Sequence, residues 1–346
     1  MFDKLAGNER VKDVLRRMLE KGRVPGALLF VGEDGVGKRL FALELAKAMN
    51  CQKSKGKEGC DECSSCLRIG RSTFPLYDND DDNKERIVWS EHTDVGMVRP
   101  YKRSIRVDPM RELEREANYR PVEGRARFFI IEDADRLNES SSNALLKTLE
   151  EPPETSHLIL LTSRPSALLP TIRSRCQVIR FAPLQAEEVE KHLTAERRIP
   201  KREASLLAHV ARGSIGRALS TDLASYRERR DAMLEVLKSL ALTGDRARLL
   251  RIAEEMNDAK RKDEYEPRLE ALEMLVHDVW TLGLGAPAEQ IVNRDLDEQL
   301  KQISVRVPSR RAARWITEIE TLRGQLLVNV NRKVATDALF LSMAEE

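Results

Sequence analysis

No run in this 346-residue chain approaches the roughly 18 to 20 consecutive apolar residues that a membrane-spanning helix requires, so a helical membrane protein is not expected. The opening residues "MFDKLAGNER" contain no apolar stretch of the kind a secretory signal needs, which makes the cytoplasm the expected compartment. An excess of charge of one sign is missing too: 59 Lys and Arg against 57 Asp and Glu leave a net charge of +2. Composition therefore argues no bulk affinity for nucleic acid, and any DNA contact must come from local patches. No internal repeat is found. Cysteine is scarce, at five residues, but four of the five are crowded together. What remains, 41% hydrophobic and 34% charged residues, is enough to bury more than one core and points to two or three domains.

The first half of the chain alternates strand-like and helix-like patterns. Val11, Val14, Leu15, Met18 and Leu19 fall at helical spacing after Asn8, with Gly22 as the stop. "ALLFV" (27–31) is a short apolar run leading into a glycine-rich turn, and "LFALELAKAM" after it has a helical pattern. The runs "RFFIIE" (127–132), "HLILLT" (157–162) and "QVIRF" (177–181) predict further buried strands, the first two separated by a helix that Asn138 can cap. Continuous apolar strands alternating with helices predict a parallel sheet covered on both faces. From Gln185 onward everything reads as amphipathic helix. Boundaries are expected near Pro183 and near Thr221, where Gly213 and Gly216 interrupt a set of short helices. "YDNDDDNKE" (77–85) is an acidic run that fits a solvated loop better than a divalent-metal site.

Cys51, Cys60, Cys63 and Cys66 form a C-x8-C-x2-C-x2-C pattern. In a reducing compartment such thiols do not persist as disulfides, and C-x2-C turns aim two thiolates at one tetrahedral zinc. Free surface thiols or a redox pair are the plainer alternatives. Four thiolates close the coordination shell and leave no position to activate water, so the expected zinc is structural. Lys53, Lys55, Lys57 and Arg68 can partly offset the negative charge of the site, or serve as ordinary surface cations.

"GEDGVGKR" (32–39) fits the phosphate-binding pattern G-x-x-x-x-G-K-[ST] through Gly32, Gly37 and Lys38, with Gly35 inside the loop, and then fails. Arg39 stands where a hydroxyl should hold magnesium. The loop itself is structurally credible, since a strand precedes it and a helix follows, as backbone amides cradling phosphate require. A magnesium-organising strand end should read Asp-Glu; here "FFII" ends in Glu132-Asp133, the reverse order, and a displacement of about 1 Å at such a site can cost on the order of 100-fold in rate. An acidic pair that merely ends a strand is the open alternative. Thr162, at the end of "HLILLT", completes the degenerate nucleotide set.

"SSNALLKTLEEPPETSHLILLTSRPSALLPTIRSRC" (141–176) resembles the ATPase core of the bacterial DNA polymerase III clamp-loader family, with "ALLKTLEEPP" and the closing "SRC" as its most specific parts. The cysteine spacing and the loop position agree with that family, and the resemblance covers essentially the whole chain. It implies an α/β P-loop AAA+ core with a parallel sheet and zinc module over 1–183, an all-α lid over 184–222 and an all-α collar over 223–346. Motor members of the family, gamma or tau, carry an intact loop, an Asp-Glu strand end and a lid arginine in a G-S-x-R motif. Here that motif reads Gly213, Ser214, Ile215, Gly216, and the neighbouring Arg217 is offset by about 100° around a helix. Three nucleotide-handling positions are altered together, and "LLVNVNRKVATDAL" (326–339) is similar to the collar of the delta prime branch. Arg175 of "SRC" matches the family's arginine finger, which reaches into a neighbour's ATP site; an ordinary surface ion pair is the alternative for it. Cys176 is expected to be a small buried residue and not a nucleophile. One departure stands out: "FPL" (74–76) replaces the family's short connection, and roughly twenty additional residues follow up to a helix near Asp108-Pro109, expected as a surface excursion.

The resemblance thus implies a non-hydrolysing subunit that helps load a sliding clamp onto primed DNA, in a complex with gamma- or tau-like motor and delta-like subunits. Zinc is the one cofactor expected, while binding of ATP or ADP without turnover stays open. An active gamma-like ATPase using Glu132 for magnesium is the rival reading, and a zinc-dependent DNA-binding module a weaker third.

Overall fold

The apolar runs of the first half assemble into one six-stranded sheet in a computed structural model that describes residues 2–54, 58–71, 74, 86–102, 104–258, 263–287, 290–326 and 330–345. The acidic run 77–85, Lys55, Lys57, Pro75, Leu76 and residues 327–329 of the collar motif lie outside the described residues. The strands are β1 (Ala27–Val31), β2 (Val88–Trp89), β3 (Val95–Val98), β4 (Arg127–Ile131), β5 (Ser156–Thr162) and β6 (Gln177–Arg180), in the spatial order β2-β3-β4-β5-β1-β6. β3, β4, β5, β1 and β6 run parallel, and only β2 is antiparallel to its neighbour. Every residue of β1, β3, β4 and β5 is buried, which is why these segments read as continuous apolar runs and not as alternating ones.

The expectation of a surface excursion before the helix near Asp108 is corrected here. Residues 88–98 supply β2 and β3, and β3 lies inside the sheet, paired with β4 from Val95↔Phe128 to Val98↔Ile131. Two buried polar residues, His92 and Asp94, set the turn between them. The Asp94 carboxylate accepts from the backbone amides of Val122, Glu123 and Gly124 at 2.7–2.9 Å, so it holds the loop that enters β4. The following helix starts at Val107, with Asp108 in its first turn and not at its cap.

Helices cover the sheet: α1 (Glu9–Glu20), α2 (Lys38–Asn50), α3 (Ser64–Gly70), α4 (Val107–Ala117), α5 (Glu139–Glu150) and α6 (Pro170–Arg175). The Asn138 side chain accepts from the Ser141 amide at 2.8 Å and so caps α5. Three short helices complete this first unit, Met1–Ser220: α7 (Ala186–Arg197), α8 (Lys201–Val210) and α9 (Ile215–Ser220).

The second unit, Thr221–Glu346, is helical throughout its described residues. It comprises α10 (Leu223–Lys238), α11 (Arg246–Met256), α12 (Tyr265–Gly283), α13 (Asp297–Arg306), α14 (Ser309–Gln325) and α15 (Arg332–Met343). Its core gathers Leu272, Leu275, Trp315, Ile319 and Phe340 around the central α12. Two of the polar groups buried in it are paired: the Trp315 indole donates to the Met343 carbonyl at 2.9 Å, and buried Asp278 accepts from the Val292 and Asn293 amides. No helix among the described residues is long and apolar enough to cross a membrane.

Candidate nucleotide site and cysteine cluster

The phosphate loop leaves the carboxyl end of β1, where the Gly32 amide donates to the Thr162 carbonyl at 3.1 Å and ties the loop to β5. Gly35 and Gly37 take φ of +74° and +101°, a region that side chains with a Cβ rarely adopt, and α2 begins at Lys38. Gly35, Gly37, Lys38 and Arg39 line a cavity of about 640 Å³.

Lys38, Arg39 and Glu132 are all engaged by protein partners at this site. Lys38 is buried, and its ammonium donates to the carbonyls of Gly32 and Glu33 at 2.5 and 2.9 Å; burial lowers its pKa. Arg39 donates to Glu132 Oε1 at 3.3 Å, and Arg99, which the sequence reading did not single out, donates to Glu132 Oε2 at 2.7 Å. Both oxygens of the carboxylate at the end of β4 are thus held by guanidiniums. Asp133 turns into the left-handed region at φ +46°, and burial raises its pKa. The Thr162 hydroxyl donates to Asp135 at 2.7 Å and accepts from the Arg164 amide at 3.0 Å, while the Arg164 guanidinium grips the other Asp135 oxygen at 2.7 Å. Asp135 and Arg164 were not legible as site residues, because neither belongs to a spacing motif.

The segment Gly213–Gly216 lies directly on the phosphate loop. The Ser214 hydroxyl donates to the Asp34 carbonyl at 2.7 Å, and the Gly216 amide donates to the Gly35 carbonyl at 2.9 Å. A Cβ on Gly216 would come within 2.7 Å of Gly35 Cα, so the backbones touch only because both residues are glycine. The Arg217 amide donates to the Ser214 hydroxyl, at the start of α9.

Arg175 ends α6 on the surface, a third exposed. Its guanidinium pairs with Glu150 at 2.6 Å, from the "TLEEPP" stretch, and donates to the Thr171 carbonyl at 3.0 Å. Cys176 is buried, which pushes its thiol up to about 12 and keeps it protonated.

Between α2 and α3 the sulfur atoms of Cys51, Cys60, Cys63 and Cys66 all lie within 4.8 Å of one another. Backbone amides already point at them: Ser54 N to Cys51 Sγ at 3.3 Å, Cys63 N to Cys60 Sγ at 3.2 Å and Glu62 N to Cys60 Sγ at 3.5 Å. Amides aimed at sulfur stabilise thiolates, so this donor set suits a soft, tetrahedral divalent ion such as zinc. Around it Lys53 pairs with Glu62, and Arg68 with Glu123. Each of these cations thus has a carboxylate partner, and the Cys60 and Cys63 sulfurs also act on the Lys53 ammonium.

A family model described as "DNA polymerase III, delta subunit" matches residues 7–185, and one described as "DNA polymerase III, delta subunit, C terminal" matches 227–343. Delta' of DNA polymerase III from Bacillus subtilis (strain 168) is 28% identical over 336 residues, 97% of this chain and 96% of that protein. The chain belongs to the delta prime family of DNA polymerase III clamp-loader subunits. Delta' from Escherichia coli (strain K12) is 27% identical over 326 residues, covering 93% of this chain and 90% of that one. The tau subunit of the same organism is 32% identical over 264 residues, 75% of this clamp-loader chain but 38% of tau.

Proposed function

We propose that this clamp-loader subunit does not hydrolyse ATP and acts as scaffold and trans-activator, with an AAA+ core (1–183), a helical lid (184–222) and a helical collar (223–346). The observation that carries the reading is Glu132, whose two oxygens accept from Arg39 and Arg99. Magnesium bound there would face two guanidiniums at contact distance, and phosphoryl transfer in this class depends on a metal to neutralise charge on the phosphates. Lys38 bonded to its own loop and Gly216 seated on Gly35 support the same reading. The cradle then persists because it packs β1 against α2 and carries the lid.

Arg175 is the proposed finger. A guanidinium supplied from outside a site stabilises the charge that builds on the departing phosphate, and it need not share a chain with that phosphate. Thr171 and Glu150 hold it at the surface in one orientation. The partners proposed are gamma- or tau-like motors, a delta-like subunit, the sliding clamp and, through the complex, primed DNA. Cys51, Cys60, Cys63 and Cys66 hold a structural zinc, whose closed shell of four sulfurs organises the 51–70 segment and performs no chemistry. Purifying the chain and measuring magnesium-dependent ATP hydrolysis, with and without primed DNA, tests the central point. No turnover is expected, and turnover stimulated by DNA would overturn the scaffold reading.

A further inference from the structure

The loop between Cys51 and Cys63 does more than carry sulfur. Glu58 accepts from the Phe2 amide at 3.1 Å and from the Arg16 guanidinium at 2.5 Å, and the same guanidinium holds Asp3 at 2.6 Å. Asp61 accepts from Lys4 at 2.8 Å and from Lys47 at 3.1 Å, and Lys47 also pairs with Glu44 on α2. Phe2 is 1% exposed, with its ring centroid 6.1 Å from that of Phe41, itself on α2 one turn past the phosphate loop. The Leu5 amide closes a short turn onto the Phe2 carbonyl at 2.9 Å. Lys4, Leu5 and Ala6 then form one wall of the cavity at the phosphate loop.

We propose that the four-cysteine module is a clamp on the segment Phe2–Ala6: metal-ordered Glu58 and Asp61 hold that segment in place and so fix the wall of the cavity beside the phosphate loop.

The link to the metal is geometric. Asp61 sits at φ +57°, a left-handed conformation that non-glycine residues adopt at a cost, between two sulfur ligands of one C-x2-C turn. The amides of Glu62 and Cys63 point at the Cys60 sulfur, so the ligand geometry and the direction of the Asp61 carboxylate are set by the same turn. Ligation of Cys60 and Cys63 to one ion imposes that turn; without the ion it is held only by the amide-to-sulfur bonds and by ion pairs of Asp61 and Glu62, most of them partly exposed. The segment contributes one large apolar anchor, Phe2, and Asp3, Lys4 and the Phe2 amide are held by charged partners. The metal half of the inference rests on the zinc reading above, whereas the ionic half stands on the distances alone.

The experiment is hydrogen exchange by mass spectrometry on the full chain, following peptides that span Phe2–Gly7, with zinc content measured in parallel. Three samples are compared: the chain as purified, the chain after chelation, and a Glu58→Gln/Asp61→Asn variant with all four cysteines intact. Expected is a rise in exchange on the order of tenfold in Phe2–Gly7 for both the chelated and the variant protein, with peptides from α12 unchanged. The variant keeps its zinc. Chelation that loosens 51–70 but leaves Phe2–Gly7 protected overturns the metal dependence. Protection of Phe2–Gly7 unchanged in the variant overturns the clamp. A chain that carries no zinc overturns the metal half together with the zinc reading, and the variant then decides the ionic half by itself; the variant also decides if chelation unfolds the whole first unit.

Discussion

Glu132 shows how one carboxylate can be made unavailable without being removed. It is only a fifth exposed, and guanidiniums approach each of its oxygens, from Arg39 and from Arg99. The Arg99 pair is partly buried and resists screening better than the exposed Arg39 pair, and a metal must displace both partners to reach the oxygens. Arg39→Thr restores the loop pattern but leaves Arg99 on Glu132 at 2.7 Å and leaves no lid arginine. The expected outcome is no magnesium-dependent hydrolysis by that single mutant in a phosphate-release assay; appreciable turnover would show that Arg39 alone silences the site. Arg175 lies at the opposite extreme, since its pair with Glu150 is between a third and a half exposed and contributes about 1 kcal/mol or less to folding. Arg175→Ala should therefore leave the chain folded and incorporated. In a reconstituted loader it should lower DNA-stimulated ATP hydrolysis, by up to roughly 10³-fold at the single site it serves, diluted by the other sites. Lysine should rescue only in part, because a point charge cannot reproduce the guanidinium fork. Wild-type turnover in a complex of verified composition would rule Arg175 out as the finger.

At the scale of elements, the contact between the start of α9 and the phosphate loop is decided by two glycines. Gly216→Arg, the substitution that would restore the motor motif, places a Cβ about 2.7 Å from Gly35 Cα and 3.0 Å from its carbonyl oxygen, so backbone must move. Overpacking of that sort costs typically 1–3 kcal/mol. A lower midpoint in chemical denaturation of this variant, with no gain of ATPase activity, is the expected pair of results; unchanged stability would mean that the lid segment yields freely. The same scale explains what was missed in the sheet. β3 is the four-residue "VGMV", with a glycine inside it, and glycine in a strand weakens the pattern by which strands are recognised. Gly96 is nonetheless required there, because a Cβ would meet Ile87 at 2.6 Å and the Trp89 ring at 3.2 Å.

For the whole molecule, each of the two units carries its own apolar core, one around the sheet and one around α12. Damage to one core is then read separately from damage to the other. Cys63→Ser removes one of four sulfur ligands from the first unit, and the protein is expected to contain one zinc that this variant holds weakly or not at all. In calorimetry the transition assigned to the first unit should fall while that of the helical unit keeps its midpoint. Metal analysis that finds no zinc in protein purified without chelator would refute the prediction, as would loss of both transitions together.

The sequence alone determined the strand-loop-helix at 27–50, the strands at 127–131, 156–162 and 177–180, the helical remainder and the grouping of four cysteines, because each rests on local periodicity or fixed spacing. The departures from the motor motif at Arg39 and Gly216 were equally legible, since a motif fails visibly at the residue that breaks it. Only the tertiary structure decided what Arg39 and the 213–216 segment contact instead. Arg39 lies 93 residues from Glu132 and Ser214 lies 180 from the Asp34 carbonyl it caps, and no local pattern encodes a partner at such a separation. Arg99, Asp135 and Arg164 emerge only when parallel strands bring distant segments to one end of the sheet, while the burial of β3 and the contacts of Glu58 and Asp61 with the segment before α1 depend on packing between segments far apart in the sequence.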